Sequence, residues 1–340
     1  MQTEIFKNID TEGLNRCGQM LREGKVVAFP TETVYGLGAS ALCDEAVATV
    51  FAVKSRPCDN PLIAHICDEG MLPIVAKEVS PVAKRLFSLY WPGPLTVILP
   101  KTDTISPLVT AGGNTVAVRC PLHPVARELI RAAGVPVVAP SANLSGKPSP
   151  TDFETTLEDL SGLVPAIIDG GKCSVGVEST VVLPQDDNLL RILRPGAITP
   201  EMLSDAGFTV ELDPNILSPL DHSKPVLSPG MKHRHYAPKA PLTIVKGEKQ
   251  AVLDFLRQKQ QQGAGILCFE GEMEGDFVRC YGQEDDADSQ SQNLFAALRQ
   301  FDHLPVNEIY ARQPNPMGVG LAVYNRLLRA AEFNIMEVKQ

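Results

Sequence analysis

The chain has 340 residues, 44% of them hydrophobic and 21% charged, and carries a formal net charge of −9. That composition excludes wholesale disorder, and the acidic total argues against a protein that coats nucleic acid through bulk charge. Single cores rarely grow past roughly 250 residues, so two domains are expected. From the N-terminus, Leu14, Cys17, Met20 and Leu21 recur at helical spacing, and Gly24 stops that helix. Lys25 to Phe29 then reads as a buried strand ending at Pro30. Further strands are predicted over residues 62–66, 96–99, 115–119, 136–139, 166–168, 180–183 and 190–193, with helices over 44–53, 80–90, 123–133 and 153–160. Only short turns separate several of these strands, so residues 1–205 should form a twisted, mixed α/β sheet.

Residues 206–240 contain Pro214, Pro219, Pro225, Pro229 and Pro238 and read as a proline-rich linker. In residues 241–340, strands at 242–245, 265–269 and 308–311 alternate with helices over 248–261, 291–301 and 319–332. Such alternation predicts a small, doubly wound Rossmann-like domain. The acidic run from Glu284 to Asp288 reads as a solvated loop. None of the eight cysteines forms a C-x-x-C pair, which leaves a zinc ribbon or thioredoxin-type motif unsupported. Cys120 and Cys268 sit in apolar runs and read as core residues. The start Met1-Gln2-Thr3-Glu4 does not look like a secretory signal, and no apolar run approaches the roughly 20 residues of a membrane span. A cytoplasmic location without membrane association is expected.

Polar residues gather where predicted strands end, the usual place for ligands in α/β sheets. Pro30-Thr31-Glu32-Thr33-Val34-Tyr35-Gly36 is either such a site or a turn capped by Thr33. Lys54-Ser55-Arg56-Pro57-Cys58-Asp59-Asn60-Pro61 offers two cations in a proline-bounded loop. These suit a polyphosphate, or they complement a helix C-terminus. Trp91-Pro92-Gly93-Pro94 reads as a rigid turn packed on the core. Arg119 ends an apolar strand and needs an anionic partner, either a substrate carboxylate or a structural Asp or Glu. The stretch from Pro140 to Ser149 is dense in hydroxyls, amides and small residues that bring backbone N–H groups close to phosphate. Glu178-Ser179-Thr180 and Arg194-Pro195-Gly196-Ala197 flank two neighbouring strands.

In their order, P-T-E-T-V-Y-G-L-G, K-S-R-P-C-D-N-P-L, W-P-G-P-L-T, V-A-V-R-C-P, A-P-S-A-N-L-S-G, E-S-T-V and R-P-G-A-I resemble the YrdC-like threonylcarbamoyl-AMP synthase family. S-P-G-M-K-H-R-H-Y-A-P is similar to the interdomain linker of its long form, and G-V-G-L-A-V-Y-N-R-L-L-R-A-A to its C-terminal signature. The resemblance implies an enzyme that joins L-threonine, bicarbonate or CO2 and ATP into threonylcarbamoyl-AMP and pyrophosphate. That product would serve threonylcarbamoyladenosine formation in tRNA next to the anticodon, through a downstream threonylcarbamoyl transferase met transiently. By motif position, Lys54 and Arg56 would be the catalytic pair. Thr33, His65, Arg119, Ala139 and Ser179 would hold threonine. Lys54, Arg56, Asn60, Thr115, Ser141, Asn143, Ser149, Arg194 and Tyr236 would surround ATP. Mg2+ would bridge phosphates, with no protein side chain assured as its ligand.

A rival is a module of the same fold binding double-stranded RNA, disfavoured because the loops carry hydroxyls and amides rather than repeated Lys and Arg. The P-loop, kinase and G-x-S-x-G signatures are missing from the sequence. His233 and His235 alternate in a basic segment, a poor basis for a metal site. Residues 228–238, with Lys232, His233, Arg234, His235 and Tyr236, are instead expected to fold over the catalytic mouth as a lid.

Overall fold

The computed structural model describes residues 1–186, 188–219 and 236–339. Lys232, His233, Arg234, His235 and all of the expected lid except residues 236–238 lie outside the described residues. In the N-terminal region the strands are β1 (Glu4–Lys7), β2 (Val27–Phe29), β3 (Gly36–Ser40), β4 (Ile63–His65), β5 (Leu95–Pro100) and β6 (Thr115–Arg119). They continue with β7 (Val137–Val138), β8 (Ala166–Asp169), β9 (Thr180–Pro184), β10 (Leu189–Arg194) and β11 (Thr209–Leu212). The helices are α1 (Thr11–Arg22), α2 (Asp44–Lys54), α3 (Leu72–Val75), α4 (Pro81–Tyr90), α5 (Pro124–Ala133), α6 (Phe153–Leu160) and α7 (Pro200–Asp205). Side-chain caps start several of them: Asp10, Ser80, Asp152 and Thr199 each accept from a backbone N–H three residues on. Pro81, Pro124 and Pro200 occupy first-turn positions where no N–H is missed.

The strands form one mixed sheet in the order β1-β8-β2-β3-β7-β4-β6-β5-β9-β10-β11. β4 and β6 run parallel with His65 opposite Arg119, while β2–β3, β5–β6 and β9–β10 are antiparallel. The mixed character follows from the short turns noted above. The structure adds to the expected elements. Residues 36–40 form a strand that was not among those predicted, although glycine disfavours strands. Gly38 is needed there because a Cβ would lie 2.8 Å from the Phe29 ring. Residues 209–212 also belong to this sheet, as β11 pairs in parallel with β10, so the proline-punctuated segment starts later than position 206. The Trp91 turn behaves as read. Its ring stacks on Phe87 at 3.9 Å and its indole N–H donates to the Leu95 carbonyl at 2.7 Å.

The second sheet holds β12 (Leu242–Gly247), β13 (Gly265–Cys268), β14 (Val278–Cys280), β15 (Ile309–Arg312) and β16 (Ile335–Val338). It is parallel throughout, ordered β14-β13-β15-β12-β16. Its helices are α8 (Lys249–Gln261), α9 (Ala287–Gln300) and α10 (Val319–Ala330). Alternate strand residues divide between two cores. Val245, Ile266 and Tyr310 pack with α8, whereas Ile244, Leu267 and Ala311 pack with α9 and α10. That division is the doubly wound arrangement. The acidic run is more than a solvated loop, since Asp286 caps α9 and Glu284 pairs with Arg312 at 2.7 Å. Among the described residues no helix is long and apolar enough to cross a membrane.

Candidate active site

A pocket of ≈ 590 Å³, measured out to its open mouth, lies where the central strands end. Such a volume suits a small-molecule site. The turn after β2 supplies one wall. Thr31 Oγ1 donates to the Val34 carbonyl at 2.6 Å and accepts from the N–H of Thr33 and Val34, which folds the segment tightly. Arg119, at the end of β6, donates through Nη1 to Thr33 Oγ1 at 2.9 Å and through Nε to the Gly93 carbonyl at 3.3 Å. Its Nη2 lies 2.6 Å from Glu32 Oε1, and both side chains are buried. The angle of that contact is poor for a hydrogen bond, yet at such a distance the pair is ionic. Burial pushes the Glu32 carboxyl up, but the charge of Arg119 foremost opposes it, and the net shift is downward. Thus Arg119 has a structural carboxylate and still lines the pocket. Beside it, burial first and then Arg119 lower His65 to about 3, so the imidazole is neutral at ordinary pH. One of its ring nitrogens meets the Ile63 carbonyl at 3.2 Å.

The α2 end and the loop after it bring cations to the site. Lys54 ends α2, and Ser55 follows in the left-handed region at φ 51°. The Lys54 ammonium is buried and donates to the carbonyls of Ser141 and Asn143, while Ser145 N–H donates back to the Lys54 carbonyl at 2.9 Å. Lys54 therefore clamps the hydroxyl-rich loop and is not part of the pocket lining. Burial and the neighbouring Arg56 both lower its pKa well below the usual ammonium range. Arg56 lines the pocket and reaches the Asn60 and Pro61 carbonyls through Nη2 at 3.4 and 3.2 Å. Among the described residues, Arg56 Nε, Asn143 Oδ1 and both amide atoms of Asn60 are buried without a hydrogen-bond partner. Buried polar atoms ordinarily find one, and here a ligand is the natural candidate.

Ser179 also lines the pocket. Its hydroxyl lies 2.7 Å from Thr96 Oγ1 and accepts from Arg194 Nη2 at 3.2 Å, while Arg194 Nε donates to the Ser179 carbonyl at 3.1 Å. Burial lowers Arg194 and Arg56 to about 10, leaving both charged at neutral pH. Gly196 permits this packing, since a Cβ there would stand 2.4 Å from Thr180 N. Of the residues expected at the site, Thr33, Arg56, His65, Arg119, Ala139, Ser141, Asn143, Ser179, Arg194 and Tyr236 line the one pocket. Lys54, Asn60, Thr115 and Ser149 do not. Asn60 lies between Arg56 and Leu62 of the wall, and Ser149 donates to Glu178 Oε1 at 2.6 Å. Thr115 begins β6, two residues before Ala117, which is in register with Ile63 of the lining. Glu32, Lys147 and Glu178 had been assigned no role, although each stands inside a segment singled out above. Arg326 likewise stands inside the C-terminal signature G-V-G-L-A-V-Y-N-R-L-L-R-A-A, with no role read for it.

Residues 19–196 match the family model described as telomere recombination, which joins the Sua5, YciO and YrdC proteins. Residues 198–332 match the model described as threonylcarbamoyl-AMP synthase, C-terminal domain. A Bacillus subtilis protein named threonylcarbamoyl-AMP synthase is 46% identical over 92% of this chain and 91% of its own. The chain belongs to the long-form YrdC-like threonylcarbamoyl-AMP synthase family. A Pyrococcus abyssi synthase of the same name is 42% identical over 94% of each chain. The crystal structure of P. abyssi Sua5 complexed with L-threonine superposes with a TM-score of 0.92 at 39% identity, covering 100% of both chains. The family's two-domain form thus extends over the whole fold described above.

Proposed function

We infer that the protein is a threonylcarbamoyl-AMP synthase, which makes threonylcarbamoyl-AMP and pyrophosphate from L-threonine, bicarbonate or CO2, and ATP. The observation that carries this reading is that Thr33, His65 and Arg119 line the same pocket as Arg56, Asn143 and Arg194. The first set suits an amino acid. Arg119, already oriented by Glu32, presents charge to the carboxylate, and neutral His65 adds no second cation beside the substrate's ammonium. The second set suits phosphates, with two buried guanidiniums and unpartnered amide and guanidinium atoms. With both substrates held there, the threonine amine adds to CO2 and loses a proton, giving the carbamate. A carbamate oxygen then attacks the α-phosphorus, a P–O bond forms, and the bond to the pyrophosphate oxygen breaks with the electron pair leaving on pyrophosphate. No protein nucleophile is needed, so positioning and charge account for the catalysis.

The roles of individual residues follow as part of the same proposal. Thr33, His65, Arg119, Ala139 and Ser179 contact threonine. Arg56, Asn60, Thr115, Ser141, Asn143, Ser149, Arg194 and Tyr236 belong to the ATP half, and Lys54 serves it by holding the 141–143 loop. Among the described residues no group of three or more His, Cys, Asp or Glu is placed to hold a metal. Mg2+ would enter with the ATP phosphates and neutralise their charge. A cytoplasmic location, transient delivery of the product to a threonylcarbamoyl transferase, and use in tRNA modification complete the reading. The test is pyrophosphate release with each substrate omitted in turn. Release should require threonine, bicarbonate, ATP and Mg2+ together, and equal turnover without any amino acid would replace the synthase reading with a simple ATPase.

A further inference from the structure

Arg326 lies on α10 in the second domain and is completely buried, yet its guanidinium serves the pocket of the first. Nε donates to Glu178 Oε2 at 2.7 Å and Nη2 to the Glu178 carbonyl at 3.3 Å. Nη1 donates to Asn325 Oδ1 at 2.8 Å, and Asn325 is itself held by the Ile216 carbonyl at 2.7 Å. The guanidinium carbon sits 5.8 Å from the ring centre of Tyr236. Glu178 lines the pocket, and its other carboxylate oxygen accepts from Ser149. Burial alone would raise the Glu178 carboxyl, but Arg326 foremost and then Arg194 bring it down, so it stays ionised. A carboxylate in the wall of a phosphate site repels its ligand unless a fixed cation compensates it.

We propose that Arg326 is a positioning residue of the nucleotide half of the site. It neutralises Glu178 and fixes its orientation, so that Ser149 is held and the carboxylate does not repel phosphate. Without Arg326, Glu178 would stand uncompensated in the pocket wall. The threonine half depends on Arg326 less, because Thr33, Arg119 and Glu32 are tied to one another within the first domain. This inference rests on reading the pocket as a site for both ATP and threonine.

The experiment is calorimetric titration of the full-length protein with ATP and, separately, with threonine. Removing one partner of a desolvated charge pair is costly, so Arg326→Met should weaken ATP binding about tenfold or more and leave threonine binding within about twofold. Adding Glu178→Gln to that variant removes the uncompensated charge and keeps an acceptor for Ser149, and should restore ATP affinity to within about threefold of the parent. Arg326→Lys, which keeps the charge and loses the fork, should bind ATP with intermediate affinity and covers the case in which Arg326→Met does not fold. Three results overturn the proposal: unchanged ATP affinity in a folded Arg326 variant, equal loss for both ligands, or a double variant no better than Arg326→Met. Because binding is read without turnover, a parent protein that binds ATP but releases no pyrophosphate contradicts the synthase reading alone.

Discussion

Arg119 has two demands on it, since Glu32 holds one edge of the guanidinium while another faces the pocket. Arg119→Ala should raise the KM for threonine by the equivalent of roughly 2–3 kcal/mol, the range for a charge-assisted hydrogen bond. Initial rates at varied threonine, with ATP saturating, check this. The same substitution strands Glu32 as a buried unpaired carboxylate, so the melting temperature should also fall. His65 gives a separate, pH-dependent expectation. Its folded-state pKa is about 3 against an ordinary 6.5. Between those values the unfolded chain binds a proton that the folded chain refuses. Stability is therefore complete above the unfolded pKa and is lost as pH falls towards the folded one. Each pH unit in that window costs up to about 1.4 kcal/mol. Urea midpoints should fall more steeply in the parent than in His65→Gln between about pH 7 and pH 5. Parallel curves would mean that His65 charges readily in the fold.

At the level of elements, the first domain presents acceptors and the second supplies side chains that donate to them. Arg299 of α9 reaches the Pro148 carbonyl at 2.6 Å and Asp159 at 2.6 Å, and Ser291 reaches the Val175 carbonyl at 2.7 Å. Gly176 makes that approach possible. Its φ is +84°, and an added Cβ would stand 2.3 Å from the Ser291 carbonyl oxygen and 2.4 Å from Gln292 Cα. Neither atom can rotate away. Gly176→Ala should lower the melting temperature by roughly 5 °C or more. Gly112→Ala, with φ +80° and nothing within 4 Å, should show only the backbone penalty of about 1 kcal/mol. Calorimetric melting of both variants separates the close contact from the dihedral strain. Strands such as β6 were legible because an uninterrupted apolar run has few other uses. β3 was not, because Gly-Leu-Gly-Ala-Ser resembles a loop until Phe29 is known to lie against it. Motif residues likewise marked the pocket, whereas the pairings of Glu32 with Arg119 and of Glu178 with Arg326 join segments far apart in sequence and left no local pattern.

Across the whole molecule, the two domains divide the site unequally. On the proposed reading, threonine's half would be Thr33, His65, Arg119, Ala139 and Ser179, all on the first sheet and its turns. The ATP half leans on the second domain three times, through Arg326 on Glu178, Arg299 on the Pro148 carbonyl, and Phe295, whose ring centre lies 5.1 Å from that of Tyr236. Val34 also joins the apolar cluster of the second domain, so separation would expose it beside the pocket. A chain ending at residue 219 should therefore keep threonine affinity within about an order of magnitude while losing most of its ATP affinity. It should also melt lower, because Glu178, Asp159 and Val34 would each lose buried partners. Titration of the truncated chain with each ligand, alongside circular dichroism to establish folding, checks both statements. Normal ATP binding by a folded truncated chain would make the second domain an appendage to the site. Loss of threonine binding as well would mean that the second domain supports the entire pocket, and that its two halves do not respond separately.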